Sequence, residues 1–398
     1  MEWPFELSLM VFLIIAFASN VVDIKTRSRL SLPFALGIIC IVGFSTGLFP
    51  TEFIVASKMK DVGFIAFNML IIHSGTMIDF KQLKSQKQSL IIAIIGVLIM
   101  SAVIIFGMSP FIGKELGSMS PGPIIGGGAA AAISSISVMQ IKPELSVYPW
   151  MIFMFQCFFG IPICSFAIRK ESNLILNNYR KNKNISKKVN GDMKNNTIVD
   201  ERSKLCDRIP DKYKTTAYYL GFLMIISVFN RWLNVSFVAD LGINLNITAL
   251  IFGVALGQLG IIDRAPLIKS QTMGFLMLGL MALMANTLAH TPIKVIISLI
   301  IPILTVFIVA TIILVLVGIV ASKIYKFSPY KGIMITLNSM VGFPVNLMLV
   351  DEASAKLSKN NEEKQVLKMN LNPVLSTGST VIVNIISIVL ASMVTVFI

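Results

Sequence analysis

Charge is scarce in this chain. Of its 398 residues only 14% are charged and 55% are hydrophobic. Together with a mean hydropathy of +0.80, that excludes an ordinary soluble domain. Apolar runs of about 17–25 residues recur, each long enough to cross a hydrocarbon core roughly 30 Å thick, so the sequence predicts an all-α polytopic membrane protein embedded in a lipid bilayer. The charge that is present is unbalanced, with 34 Lys and Arg against 20 Asp and Glu and a net charge of +14. This excess sits in the connections between apolar runs, where it marks cytoplasmic loops rather than a nucleic-acid partner. No Asp, Glu, Lys or Arg lies in the middle of any apolar run. Proton-coupled carriers commonly need such an intramembrane group. Its lack points instead to a hard cation held by carbonyl, hydroxyl and amide oxygens, with sodium the natural candidate.

Other absences exclude other chemistry. The four cysteines, Cys40, Cys157, Cys164 and Cys206, show neither zinc spacing nor a disulfide framework. The two histidines, His73 and His290, are too few and too far apart in sequence for a metal site. There is no P-loop for ATP-driven pumping. No G-x-G-D pair or G-x-S-G motif suggests an intramembrane hydrolase, and the expectation is a non-enzyme without a cofactor. The first apolar run, Leu7–Val22, follows no basic region and precedes no A-x-A-like site, so it reads as a retained span rather than a signal peptide.

What the chain does have is a stretch of bare backbone. Ser120–Gln140 contains Gly126-Gly127-Gly128, four consecutive alanines and the serines Ser134, Ser135 and Ser137. Adjacent glycines break helices, and irregular backbone at membrane depth survives only when buried in protein or lining a wet cavity. A Gly/Ala helix packed tightly on a neighbour is the competing reading. The loop charges choose between them. The basic connections, chiefly 23–30, 79–88, 169–214, 262–270, 322–331 and 351–375, hold 28 of the 34 Lys and Arg and belong inside. The block 169–214 alone has 13 basic residues against 6 acids. It reaches the inside only if the Gly-rich stretch enters and leaves on one face. The second half repeats this arrangement in mirror image, with Ile333–Val350 as its own re-entrant segment. The sequence thus predicts two inverted repeats of five transmembrane helices, each with a re-entrant hairpin. These are residues 1–168 with the N-terminus outside, a basic cytoplasmic linker over 169–215, and residues 216–398 with the C-terminus outside. Ala35-Leu36 and Gly43 correspond to Ala249-Leu250 and Gly257 at a constant offset, and Ser-Pro precedes both hairpins.

In such a plan the site lies where broken segments meet near the midplane. The candidates for solute binding are Gly126, Gly127, Gly128, Ser134 and Ser135 in the first segment. In the second they are Asn338, Ser339, Gly342 and Asn346, beside Pro344. Hydrogen bonding to a neighbouring helix is the competing role of the asparagines. For sodium the candidates are Ser137, Asn68, Asn286 and Asn384. His73 reads by default as a buried histidine satisfied by a neighbour. Asp23, Asp79 and Asp263 read as solvated charges at span ends.

In architecture the chain resembles the bacterial sodium:glutamate symporter family. Gly126-Gly127 and Ala131-Ala132 match that family's G-G-H-G-T-A-A loop, while Gly128, Ala129 and Ala130 stand in place of His, Gly and Thr. A citrate-type carboxylate carrier family has a comparable plan. The resemblance implies external termini, a cytoplasmic central loop, a multi-pass protein of the bacterial cytoplasmic membrane, a homodimer, and sodium-coupled symport of glutamate or a similar small carboxylate or amino acid. A sodium-independent exporter or uniporter on the same scaffold is the alternative, as is a sensor or adaptor using its basic loop.

Overall fold

The computed structural model describes residues 3–186, 205–238, 244–342 and 345–394, without the side chains at 81, 82, 182–186, 377, 379–381, 383 and 384. In chain order the principal helices are α1 (Phe5–Thr26), α2 (Leu32–Ser45), α3 (Met59–Thr76), α4 (Lys87–Ala102), α5 (Pro121–Met139), α6 (Val147–Ser186) and α7 (Thr216–Leu233). They continue with α8 (Leu245–Leu259), α9 (Met273–Ala289), α10 (Ile293–Ile324), α11 (Pro329–Val341), α12 (Val345–Leu357), α13 (Asn361–Val381) and α14 (Ser387–Ser392). The described residues contain no strand. Helices are what an apolar chain must form in a bilayer, since each backbone polar group then finds a partner within its own segment.

Among the described residues six helical segments are long and apolar enough to cross a membrane, and they include α1, α5, α10 and most of α6. Their outer faces fit lipid. On α10 the stripe Ile297, Ile301, Ile308, Ile312, Leu316 and Val320 is exposed, up to 75% at Ile301, while Leu299, Ile303, Phe307, Ala310 and Leu314 on the other side are buried. In α5 the apolar stretch is 78% buried, whereas no other candidate span exceeds 50%. It is an interior element, not a lipid-facing one.

Helix α3 is the axis of one half of the packing. It lies against α8 and α9, and α2 also packs on α9. The contacts are made by glycines. A Cβ on Gly279 would sit 2.8 Å from the nitrogen of Gly63, and one on Gly75 would sit 2.6 Å from the carbonyl of Leu250. Such backbone-to-backbone approach is how membrane helices gain contact without a hydrophobic driving force. Elsewhere α4 packs on α10, α5 on α6 and α14, and α11 on α6, α10 and α13.

The ion pairs sort the connections into two sets. Glu352 binds Arg27 at 2.9 Å, Arg169 at 3.1 Å and Lys356 at 2.7 Å. Asp79 pairs with Arg264, and Asp263 with Lys214 at 3.2 Å and with Lys269. All of these join basic connections to one another. Glu52–His290 at 3.3 Å and Glu115–Lys142 join the sparsely charged ones. Asp79 and Asp263 are therefore paired rather than solvated. Asp263 is buried; burial works to raise its pKa, but hydrogen bonds from Lys269 and Lys214 hold it below the usual carboxylate range.

Two elements are longer than the sequence suggests. The stretch 351–375 is not a loop, because α12 runs to Leu357 and α13 begins at Asn361. Glu362, Glu363, Lys364 and Lys368 mask the start of this rod by lowering its hydropathy. Likewise α6 passes through residue 169 and continues to Ser186, so the basic stretch begins inside a helix.

Candidate functional site

Helix α5 is interrupted at Gly127, whose φ of 61° and ψ of −148° belong to a region that only glycine enters readily. Its two ends meet the same place. Ser120, just before α5, has its Oγ 2.9 Å from the hydroxyl of Tyr148, and Ser135 near the other end donates to the carbonyl of Ser146 at 2.7 Å. A straight helix would hold Ser120 and Ser135 about 22 Å apart. Both arms of α5 therefore open toward the start of α6.

A second interruption lies between α11 and α12. Gly342 ends α11 with φ 71° and ψ 173°; residues 343 and 344, and with them Pro344, lie outside the described residues. The outer ends again converge. The Tyr330 ring lies 6.2 Å from that of Phe166, and Glu352 reaches Arg169. Both contacts fall on a single later stretch of α6. From Tyr148 to Arg169 a helix spans about 31 Å, close to the hydrocarbon thickness of a bilayer. The two broken segments thus approach α6 from its opposite ends.

Their tips share one cavity of about 300 Å³, lined by Gly126–Ala129 of α5 and by Val341, Gly342 and Val345. Further wall comes from Phe153, Gln156 and Cys157 of α6, Leu70, His73 and Ser74 of α3, Met273, Met277 and Leu280 of α9, Ile388 of α14, Met77, and Asp23, Ser28, Ser31, Leu32 and Pro33 around the α1–α2 connection. The surface is apolar with a few polar groups converging on it, which is the usual make-up of a small-molecule site.

Several of these polar groups have definable partners. The arm of α5 that follows the break at Gly127 begins at the cavity, at the end of the arm where a helix dipole is positive. Gln156 donates to the carbonyl of Met340 at 2.7 Å, closing one orphan carbonyl at the end of α11. His73 is 1% exposed. Its Nδ1 accepts the amide of Leu267 at 3.3 Å, so the neutral ring carries its proton on Nε2. That Nε2 is buried with no partner among the described residues, and the same is true of Oδ1 of Asp23. Among the described residues no Lys or Arg is in the lining.

Of the residues proposed from sequence, Gly126, Gly127, Gly128 and Gly342 line this cavity, and the other described ones do not. Asn338 and Asn346 both donate to the carbonyl of Leu375, at 2.7 and 3.2 Å, bracing the second break against α13. Ser339 donates to Thr336 at 2.7 Å, and Ser135 is engaged by Ser146. Among the described residues, the buried hydroxyl of Ser134 and the buried side-chain oxygen of Asn286 have no hydrogen-bond partner. Ser137 and Asn68 are half-buried. The side chain of Asn384 lies outside the described residues. Sequence reasoning passed over Gln156, although it is the one amide in the apolar run 150–167, and it gave Asp23 and His73 passive roles. Nothing in the sequence tells that α3, α6 and the α1–α2 connection face one space.

Neither a family model nor a curated protein sequence matches the chain.

Proposed function

We propose that this chain is a secondary active transporter, carrying glutamate or a similar small carboxylate or amino acid in symport with sodium by alternating access. The observation that carries the reading is the single cavity shared by the two glycine breaks, Gly126–Gly128 and Gly342. A protein that only needed tight packing has no reason to aim two broken helices from opposite ends of α6 at one polar-dotted space. Irregular backbone at membrane depth belongs where a solute or ion passes.

In this reading α5 and the pair α11–α12 are re-entrant hairpins entering from opposite faces, within two inverted repeats. The packing supports that relation. The third spans of the two halves, α3 and α9, touch at Gly63 and Gly279, the fourth spans α4 and α10 touch each other, and each hairpin packs on the last helical rod of the other half. The wall of the cavity extends to Asp23, Ser28 and Ser31, next to Lys25, Arg27 and Arg29. On the positive-inside rule this is the cytoplasmic side, so the conformation is one that faces inward. Sodium is carried as cargo, held by neutral oxygens. We place the protein in the bacterial cytoplasmic membrane as a homodimer.

Purified protein in liposomes tests this directly. An inward sodium gradient should drive accumulation of a labelled small carboxylate or amino acid, and potassium in its place should not. Equal uptake in both cations removes the coupling, and no uptake of any such solute removes the transporter.

A further inference from the structure

The helices divide into two bodies, and the cavity lies on the seam between them. Helices α1, α2, α3, α7, α8 and α9 pack on one another, and so do α4, α5, α6 and α10 to α14. Across the seam α2 and α9 touch α6, α3 and α9 touch α5, and α8 touches α14. The first body gives the cavity Ser28, Leu70 and Met277; the second gives it Gly127, Phe153 and Val345. Ion pairs between described residues keep to one body or the other, with one exception. Arg27 in the α1–α2 connection, part of the first body, meets Glu352 of α12, part of the second, at 2.9 Å.

This contact is built to open. Arg27 and Ser28 close α1 in a left-handed turn, with φ of 53° and 58°, and the hydroxyl of Thr26 accepts the amide of Leu30 across it at 3.1 Å. The Arg27 side chain is 63% exposed, so water takes over its charge when it leaves. Glu352 is only 21% exposed, but the same Oε1 also meets Arg169 at 3.1 Å and Lys356 at 2.7 Å, both in its own body. Its carboxylate therefore stays compensated after Arg27 departs, and no unpaired buried charge is created. The position also fits. Ser28, next to Arg27, lines the cavity, as does Val345, which lies about 10 Å along α12 from Glu352. The pair thus sits at the end of the cavity that the reading above makes cytoplasmic.

Resting on that transporter reading, we infer that Arg27–Glu352 is a latch between the two bodies. It favours the inward-facing conformation and opens each time the body that carries both glycine breaks moves against the other.

Two measurements on the full chain in membranes test this. In proteoliposomes, the thiols introduced by Arg27→Cys and Glu352→Cys are bridged by a short bis-methanethiosulfonate. Peptide mass spectrometry verifies the bridge, because Cys157 also lines the cavity. Sodium-driven uptake of labelled L-glutamate should be lost on bridging and return on reduction, relative to each single variant treated alike. In right-side-out vesicles without sodium or solute, an impermeant thiol reagent reports access to Ala129→Cys from the outer face. Adding Arg27→Gln should raise that labelling rate about two- to fivefold, the population shift an exposed ion pair supports. Arg27→Lys, which keeps the charge, should not raise it, and neither should Lys356→Gln, which removes a partner of Glu352 inside its own body. Uptake that survives bridging overturns the latch and leaves the transporter in place. If the parent protein takes up no glutamate, access decides the latch alone. Equal outer-face labelling with and without Arg27→Gln, or an equal rise with Lys356→Gln, then overturns it.

Discussion

Gly127 and Gly342 are the residues on which the site turns, and their backbone angles say why. Both have positive φ with strongly extended or inverted ψ, conformations that a residue with a Cβ holds only at a cost of about 1–3 kcal/mol. Around Gly127 there is room, since an added Cβ would meet Phe153 at 3.5 Å, so the penalty of a substitution is conformational rather than steric. Gly127→Ala should therefore lower the unfolding temperature of the detergent-solubilised protein and cut uptake sharply without preventing insertion. Wild-type uptake in this variant would mean that the break is dispensable. Asn338 and Asn346 act differently, as two braces on one carbonyl of α13. Replacing either with Ala removes a net contribution of about 0.5–1.5 kcal/mol, and because they share an acceptor the double variant should depart from additivity. Neither change should alter the apparent solute affinity, whereas a raised KM in Asn338→Ala would bring that side chain into solute contact. At this scale the sequence was legible where chemistry is local. Three adjacent glycines announce a break in any context, and Gly342 beside Pro344 does the same. His73, Asp23 and Gln156 were illegible because their significance lies in an unfilled hydrogen bond or a shared wall, which no one-dimensional spacing records.

Among the elements, α6 carries the frame. Its membrane portion offers one end to each broken segment, and its extension beyond Arg169 is fixed to the start of α13. There Arg180 grips Glu363 through two bonds of 2.8 Å, and the same carboxylate accepts the amide of Lys359 at 2.7 Å. The Arg180 bond and the Lys359 amide hold the Glu363 carboxyl far below the ordinary range, at about 2. A depressed folded-state pKa stabilises the native state above the unfolded value and loses that contribution as the acid protonates. The attachment should thus be intact above about pH 4.5 and weaken between there and about 2. Glu363→Gln should remove this part of the acid dependence, read as protease access to the α6 extension against pH; an unchanged profile would show that Glu363 does not control it. At the crossing of α3 and α9 the constraint is steric. A Cβ at Gly279 would press on the backbone of Gly63, and forcing extra atoms into such a contact costs about 1–3 kcal/mol. Gly279→Ala should lower the unfolding temperature, while Gly274→Ala, where an added Cβ meets nothing within 4 Å, should not. Apolar runs revealed most of these helices in the sequence. The beginning of α13 and the end of α6 escaped because charged residues on one side of a helix depress an averaged hydropathy, and helix formation there depends on partners supplied by the other half of the chain.

For the molecule as a whole, the distribution of Lys and Arg gave the most information. It separated the connections into two sets, and the ion pairs of the folded chain join like with like, Arg27 to Glu352 to Arg169 on one side and Glu52 to His290 on the other. Charge parity also singled out the Gly-rich stretch, whose helix is interrupted at Gly127 and deeply buried. What parity cannot give is the meeting of the two tips, because that depends on helices from both halves packing on α6. The reading that this meeting place is a solute pathway is tested most directly by access to it from water. With Ala129→Cys and Val345→Cys, one on each side of the shared cavity, a membrane-impermeant thiol reagent should label both from the cytoplasmic face in the absence of solute. With sodium and solute supplied from outside, labelling from the outer face should appear at the same two positions. Two cysteines that react from neither face would contradict a pathway through the paired breaks.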